Sequence, residues 1–248
     1  LLAKVYLTFG KHAEAKTALE EAMKATGYGL ESTTKRVFDI NNKMNKEVIF
    51  ALYYNKTNDN GHGYWYSTNT DVMADIRNPT PEFKAIYDET DNRLALISTY
   101  TKIQSNLFAM TKWYDTYDAT YNTQVGNDFP HLRYADITLM YAEALAETDL
   151  PTALTWLNKT RTRAGLDELT SDDVKTKAEF IRELAAERGR EFALEGHRWF
   201  DLVRLGLAVE HFRNLGYTLD AHNLIFPIPQ NQIEIVNNPS ILWQNPGF

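Results

Sequence analysis

Residues 187–206, ERGREFALEGHRWFDLVRLG, constrain the fold of this chain more than any other stretch. Arg188, Arg190, His197, Arg198 and Arg204 alternate with Glu187, Glu191, Glu195 and Asp201. Between them stand Phe192, Leu194, Trp199, Phe200, Leu202 and Val203, too many large apolar residues for a solvated face. Ile181, Leu184 and Ala185 continue through Arg188 to Phe192 at helical spacing. The pattern predicts one helix to about Glu195, a break at Gly196, and a second helix from His197 or Arg198. Glu187 and Glu191 lie one turn apart, as do His197 and Asp201, so each pair shares a helix face.

Two readings compete for these charges. His197 among carboxylates has the chemistry of a metal or acid–base site. The alternative is a partly buried salt-bridge lattice at a helix–helix corner, with arginine forks satisfying carboxylates. The run holds a single histidine and no second ligand motif, and cations crowd the place a metal would take. The lattice is therefore the favoured reading, since ion-pair networks also perturb titration.

The same run resembles the C-terminal signature of the SusD/RagB family. The tail 226–248, FPIPQNQIEIVNNPSILWQNPGF, resembles that family's closing motif, with Gln232 where an acidic residue is usual and Phe248 where tyrosine is usual. LRYADITLMYAEALAE (132–147), LNKTRTRAGL (157–166) and TDNR (90–93) add to the resemblance, in the family's order. It implies a surface-exposed nutrient-binding lipoprotein of the Bacteroidetes outer membrane that passes glycans to a SusC-like TonB-dependent transporter. The implied fold is mainly α, with tetratricopeptide-like helical hairpins in a SusD-like α–α superhelix and a loop-rich insertion. Leu1 opens in the middle of a helical pattern. The expectation is a protein roughly twice as long, whose signal peptide and lipidated cysteine precede this stretch.

Composition excludes several classes. A net charge of −7 argues against nucleic acid, which needs a basic surface. With no cysteine, disulfides and thiolate metal sites are absent from these residues. No apolar stretch reaches the length of a membrane-spanning helix.

Taken in order, Leu2, Val5, Tyr6 and Phe9 recur at helical spacing before Gly10. Ala15, Ala18, Leu19, Ala22 and Met23 mark a second helix, so residues 1–28 read as an αα-hairpin. Residues 29–130 read as a loop-rich ligand-face region. Within it, Val48–Tyr54 suits a strand or buried extended segment, Pro81 opens a helix through Tyr87, and alternation over Leu94–Ile103 suggests a strand. Residues 131–248 return to helical hairpins and the motif tail. Tyr134 to Leu145 pairs with the helix that Pro151 opens and Gly165 stops, and Ala178–Leu215 supplies a third pair. Together these are expected to form the C-terminal part of a single SusD-like domain.

Loops on a rigid scaffold are better functional candidates than the helices themselves. A sugar ring is held by aromatic rings against its C–H faces and by planar polar groups at its hydroxyl rim. Tyr64, Trp65 and Tyr66, with Asn69, Asp71 and Arg77, carry that chemistry after the Gly/Asn-rich turn 55–63. The competing reading has the three aromatics plugging the underside of a long loop. Core packing is favoured for Trp113, Tyr114 and Tyr117, and core or staple roles for Trp156, Trp199 and Trp243. His62 lies in a turn, and His131, His211 and His222 have no metal-ligand spacing. Arg161 and Arg163 complement a helix dipole. Asp71, Asp75, Asp88, Glu89 and Asp91 are carboxylates a glycoside hydrolase would use, yet no nucleophile elbow, phosphate loop or zinc motif occurs. The expected function is glycan capture without catalysis, cofactor or metal; a helical-repeat adaptor for a protein partner is the alternative.

Overall fold

The computed structural model describes residues 1–55, 80–98, 100–104, 107–110, 112 and 126–248. These residues are mainly α-helical, and the chain divides into two compact units, Leu1–His197 and Arg198–Phe248.

The first unit opens with the hairpin α1 (Leu2–Thr8) and α2 (His12–Ala22). Gly10 sits at φ +68° in the turn between them. Ala15 and Leu19 of α2 are buried as their spacing predicts, but α1 buries Ala3 and Leu7 and leaves Leu2, Val5 and Phe9 exposed. Leu2, Val5 and Phe9 lie along one face of the helix and the i, i+4 pair Ala3 and Leu7 along another. The second face is the one that joins Leu19, Met140 and Ala144 in a common cluster. A short helix α3 (Thr34–Val37), capped by the Thr33 hydroxyl, leads to strand β1 (Val48–Leu52).

After residue 80 the chain forms α4 (Pro81–Lys84). Pro81 stands in its first turn as expected, but the helix ends before Tyr87, which is buried. Helix α5 (Leu94–Ser98) follows, then the antiparallel ribbon β2 (Tyr100–Gln104) and β3 (Leu107–Met110). The expected strand over Leu94–Ile103 is therefore helical in its first half. Leu96 and Ile97, adjacent in sequence, are both buried with Tyr87 and Ala193. A strand would send two neighbours to opposite faces.

Strand β4 (Phe129–Arg133) pairs antiparallel with β1 across two register irregularities and runs directly into α6 (Tyr134–Leu145). Helix α7 (Leu150–Arg163) is capped by Asp149, whose carboxylate accepts from Thr152 N–H, with Pro151 in the first turn. Helix α8 (Lys177–Glu191) starts with a Thr176–Glu179 capping box. α6 and α7 form an antiparallel pair on which α8 packs, around Leu139, Leu154, Leu157, Phe180 and Leu184. α8 ends four residues earlier than its apolar spacing suggests. Leu194 takes φ +65° and Gly196 φ +81°, and the turn carries Glu195 back into the buried interior.

In the second unit, α9 (Arg198–Arg204) packs on α10 (Ala208–Asn214). The second helix expected from His197 or Arg198 is thus split into two short helices, with Gly206 at φ +71° between them. Trp199 meets Phe212 edge to face, whereas Trp243 is 62% exposed and is not the staple expected of it. Helix α11 (Gln230–Val236) precedes the closing segment. The Gln244 amide donates to and accepts from the Ile228 backbone, and Asn245 donates to the Phe226 carbonyl. The two halves of the tail motif are therefore one closed loop. Gly247 is required there: its φ is +97°, and a Cβ would lie 2.6 Å from Cβ of His222. Gly247→Ala is expected to cost about 2–4 kcal/mol through the clash and the strain. Faster amide exchange in residues 226–248 is the readout, and unchanged exchange would refute it. No helix of the described residues is long and apolar enough to cross a membrane.

Candidate functional site

Three carboxylates of the 187–206 run, Glu187, Glu191 and Glu195, end in a buried ion-pair lattice, while Asp201 pairs with Arg204. Glu187 and Glu191 lie one turn apart on α8, and the turn after it adds Glu195; all three are buried. Each meets arginines brought from elsewhere. Arg93 donates to Glu187 Oε1 at 2.7 Å and Glu191 Oε2 at 2.9 Å, and is forked on its own neighbour Asp91. Arg133, at the end of β4, reaches Glu191 Oε1 at 2.6 Å, Glu47 Oε1 at 2.8 Å and both oxygens of Glu195 at 2.8 Å. Arg163, at the C-terminus of α7, bridges Glu47 at 2.6 Å and Glu191 at 2.5 Å. Lys112 closes the set on Glu195 at 2.7 Å, and Arg190 on Glu187 at 3.1 Å. Among the described residues the lattice thus sets five cations against five carboxylates.

Local structure explains how these side chains arrive. Asn92 N–H donates to the Ala164 carbonyl, so the 90–93 turn sits on the C-terminus of α7 and points Arg93 at α8. Gly165, at φ +86°, lets that turn approach: a Cβ would lie 3.2 Å from the Thr90 oxygen. Arg163 therefore does more than complement a helix dipole. Tyr134 N–H donates to the Glu47 carbonyl, which holds the junction of β4 and α6 against the start of β1.

Burial alone would raise the Glu191 carboxyl; Arg163, Arg133 and Arg93 overcome it and hold the group well below the usual carboxylate range. Burial likewise opposes the charge on Arg133, and Glu195, Glu191 and Glu47 outweigh it. With every carboxylate engaged by arginine or lysine, the lattice offers no open acid–base pair. No group of three or more metal-ligating side chains occurs among the described residues. His131 packs against Phe50 and Phe129, His211 against Phe212, and His222 against Phe248.

A second charged cluster surrounds His197. Arg188 pairs with the buried Asp136 at 2.8 Å and Lys4 with the same carboxylate at 3.2 Å. Both cations approach His197 Nδ1 at 3.4 Å, so this nitrogen is the acceptor of a neutral imidazole stacked on Phe192. Burial, aided by Arg188 and Lys4 and opposed by Asp136, lowers its pKa to about 4. The unfolded chain takes up this proton near pH 6.5 and the folded chain only near 4, so folding stability falls as pH drops through that window. The expected loss is about 3 kcal/mol. Urea unfolding at pH 7 and pH 4.5 measures it, and His197→Asn, whose amide oxygen can take the place of Nδ1, should flatten the dependence. An equally steep dependence in that variant would refute the assignment.

The candidate ligand residues Tyr64, Trp65, Tyr66, Asn69, Asp71 and Arg77 lie outside the described residues, as do His62, Trp113, Tyr114 and Tyr117. The near root of the segment that bears the first six is described. Lys43 donates to the Tyr54 carbonyl at 2.5 Å and to Asp128 at 2.9 Å, and Asp128 accepts from Tyr54 N–H at 2.9 Å. Lys43 also lies 4.5 Å above the exposed ring of Tyr53. Neither Lys43 nor Asp128 stood out in the sequence, because a lone lysine and a lone aspartate 85 positions apart carry no local pattern.

Residues 87–248 match the model of the SusD family, SusD_RagB. The chain belongs to the SusD family. Among curated relatives, SusD-like protein P2 of Formosa agariphila is 26% identical over the whole of this chain, which spans 58% of that protein's length. A SusD superfamily protein of Bacteroides fragilis shares the fold over 100% of this chain and 63% of its own, at TM-score 0.75 and 20% identity. Surface glycan-binding protein A from Bacteroides thetaiotaomicron, solved in complex with laminarihexaose, superposes over 98% of this chain and 62% of its own, at TM-score 0.73 and 18% identity. In this SusD-family chain the motif residues Asp91, Arg93, Arg133, Arg163, Glu187, Glu191 and Glu195 belong to the buried lattice, with Glu47, Lys112 and Arg190 completing it, so the family signature marks what holds the scaffold together.

Proposed function

We propose that this SusD-family chain captures glycan at the cell surface without catalysis and delivers it to a SusC-like TonB-dependent transporter in the outer membrane. The protein would then sit on the outward face of that membrane, held by a lipid anchor. Weak, reversible capture raises the local concentration of substrate at the pore. The ligand contact is assigned to Tyr64, Trp65 and Tyr66, with Asn69, Asp71 and Arg77 at the hydroxyl rim. One observation carries the reading: a protein of the same fold over 98% of the chain is a surface glycan-binding protein holding laminarihexaose. The engagement of the lattice carboxylates by arginine and lysine supports the absence of catalysis. Affinity electrophoresis through laminarin and a panel of other neutral polysaccharides tests it. Retardation by at least one glycan without release of product is expected; no retardation by any would overturn it.

A further inference from the structure

Arginine supplies the lattice cations on Asp91, Glu47 and Glu191, while the chain emerging from β3 is joined to it by a lysine. Lys112 is buried, donates to the Ala193 carbonyl at 2.6 Å and to Glu195 Oε1 at 2.7 Å, and lies 4.5 Å above the Phe38 ring. Glu195 has a second cation besides it. Arg133 holds Glu195 through Nε on one oxygen and Nη2 on the other, both at 2.8 Å, so departure of Lys112 leaves neither oxygen bare. Departure of an arginine is different, because Arg133 and Arg163 each bridge carboxylates from separate segments. We propose that Lys112 is the releasable joint of the lattice, and that it and the β2–β3 ribbon detach as one unit while the arginine-held helices stay folded.

The electrostatics run the same way. The interior favours the charged forms of Arg93 and Arg133, whose carboxylate partners outweigh burial. For Lys112 burial outweighs the pull of Glu195 and Glu191 and adds to repulsion from Arg133, so its pKa is lowered. A charged lysine therefore gains by returning to water, where an arginine of this lattice loses. The ribbon is two-stranded, and its β3 strand also lies against α5, a contact that opening must break.

Pulsed acylation of the native chain with acetic anhydride, read lysine by lysine by mass spectrometry, tests this without a variant. Lys112 is expected to react at least ~100-fold faster than the limit set by global unfolding, though slower than the exposed Lys24. Amide exchange over Tyr100–Gln104 and Leu107–Met110 should report the same opening equilibrium, with α6, α7 and α8 protected far longer. Reaction of Lys112 only at the global limit would overturn the joint. Fast reaction with ribbon amides still as protected as the helices would overturn detachment as a unit.

Discussion

Glu191→Gln is expected to cost the chain about 3–5 kcal/mol, a large share of the stability of an ordinary domain. The side chain is fully buried and three arginines converge on it: Arg133 and Arg163 on Oε1, Arg93 on Oε2. Glutamine keeps the volume and removes the charge. Three guanidinium groups then share a site with less compensating charge, and an amide NH2 faces at least one of them. The loss exceeds the net worth of any one pair because the cost lies in buried charge left uncompensated. Glu147→Gln is the control. Its partners are Lys177, 51% exposed on the side chain, and His12, and that substitution should change stability by less than about 1 kcal/mol. Urea unfolding followed by circular dichroism compares the two; a loss in Glu191→Gln no larger than in the control would remove the lattice from the account of stability.

Trp65→Ala is expected to weaken glycan retention by roughly 30-fold, about 2 kcal/mol, while leaving the unfolding midpoint unchanged. The proposal gives the indole the flat contact against a sugar C–H face, and truncation removes most of the apolar area a ring of that size covers. If the 64–66 stretch is extended, its neighbours point the other way, so Tyr64→Ala should behave differently from Trp65→Ala. Affinity electrophoresis of both variants decides the matter. Retention unaffected by either moves the contact away from this loop and leaves glycan capture standing. Loss of retention together with loss of stability points to the aromatics packing under the loop instead.

Much of the scaffold was legible in the sequence. Helices α6 and α7 carry long 3.6-residue patterns, and Pro151 and Gly165 mark the limits of α7 chemically, so prediction and structure agree. Segments with short or mixed patterns went astray. Leu94–Ile103 alternates like a strand, yet burial of the neighbours Leu96 and Ile97 demanded a helical turn first. Of the stripe expected in α1 only Tyr6 packs on the core, beside the buried Ala3 and Leu7, while Leu2, Val5 and Phe9 stay exposed. Trp243 looks like a staple only because tryptophan usually needs shelter.

The candidate site divides in the same way. That aromatic and planar polar residues cluster between 64 and 77 is a property of the sequence, as is the i, i+4 placement of Glu187 and Glu191 on one helix face. Which cations answer those carboxylates is not. Arg93 and Glu191 are 98 positions apart, Arg133 and Glu47 are 86, and Lys112 and Glu195 are 83. Local spacing sets the direction in which a side chain leaves its own helix or strand, and it holds no information about what stands opposite. Only the tertiary structure places the ends of β4 and α7 and the 90–93 turn around one stretch of α8, and so turns a charged run into a buried lattice.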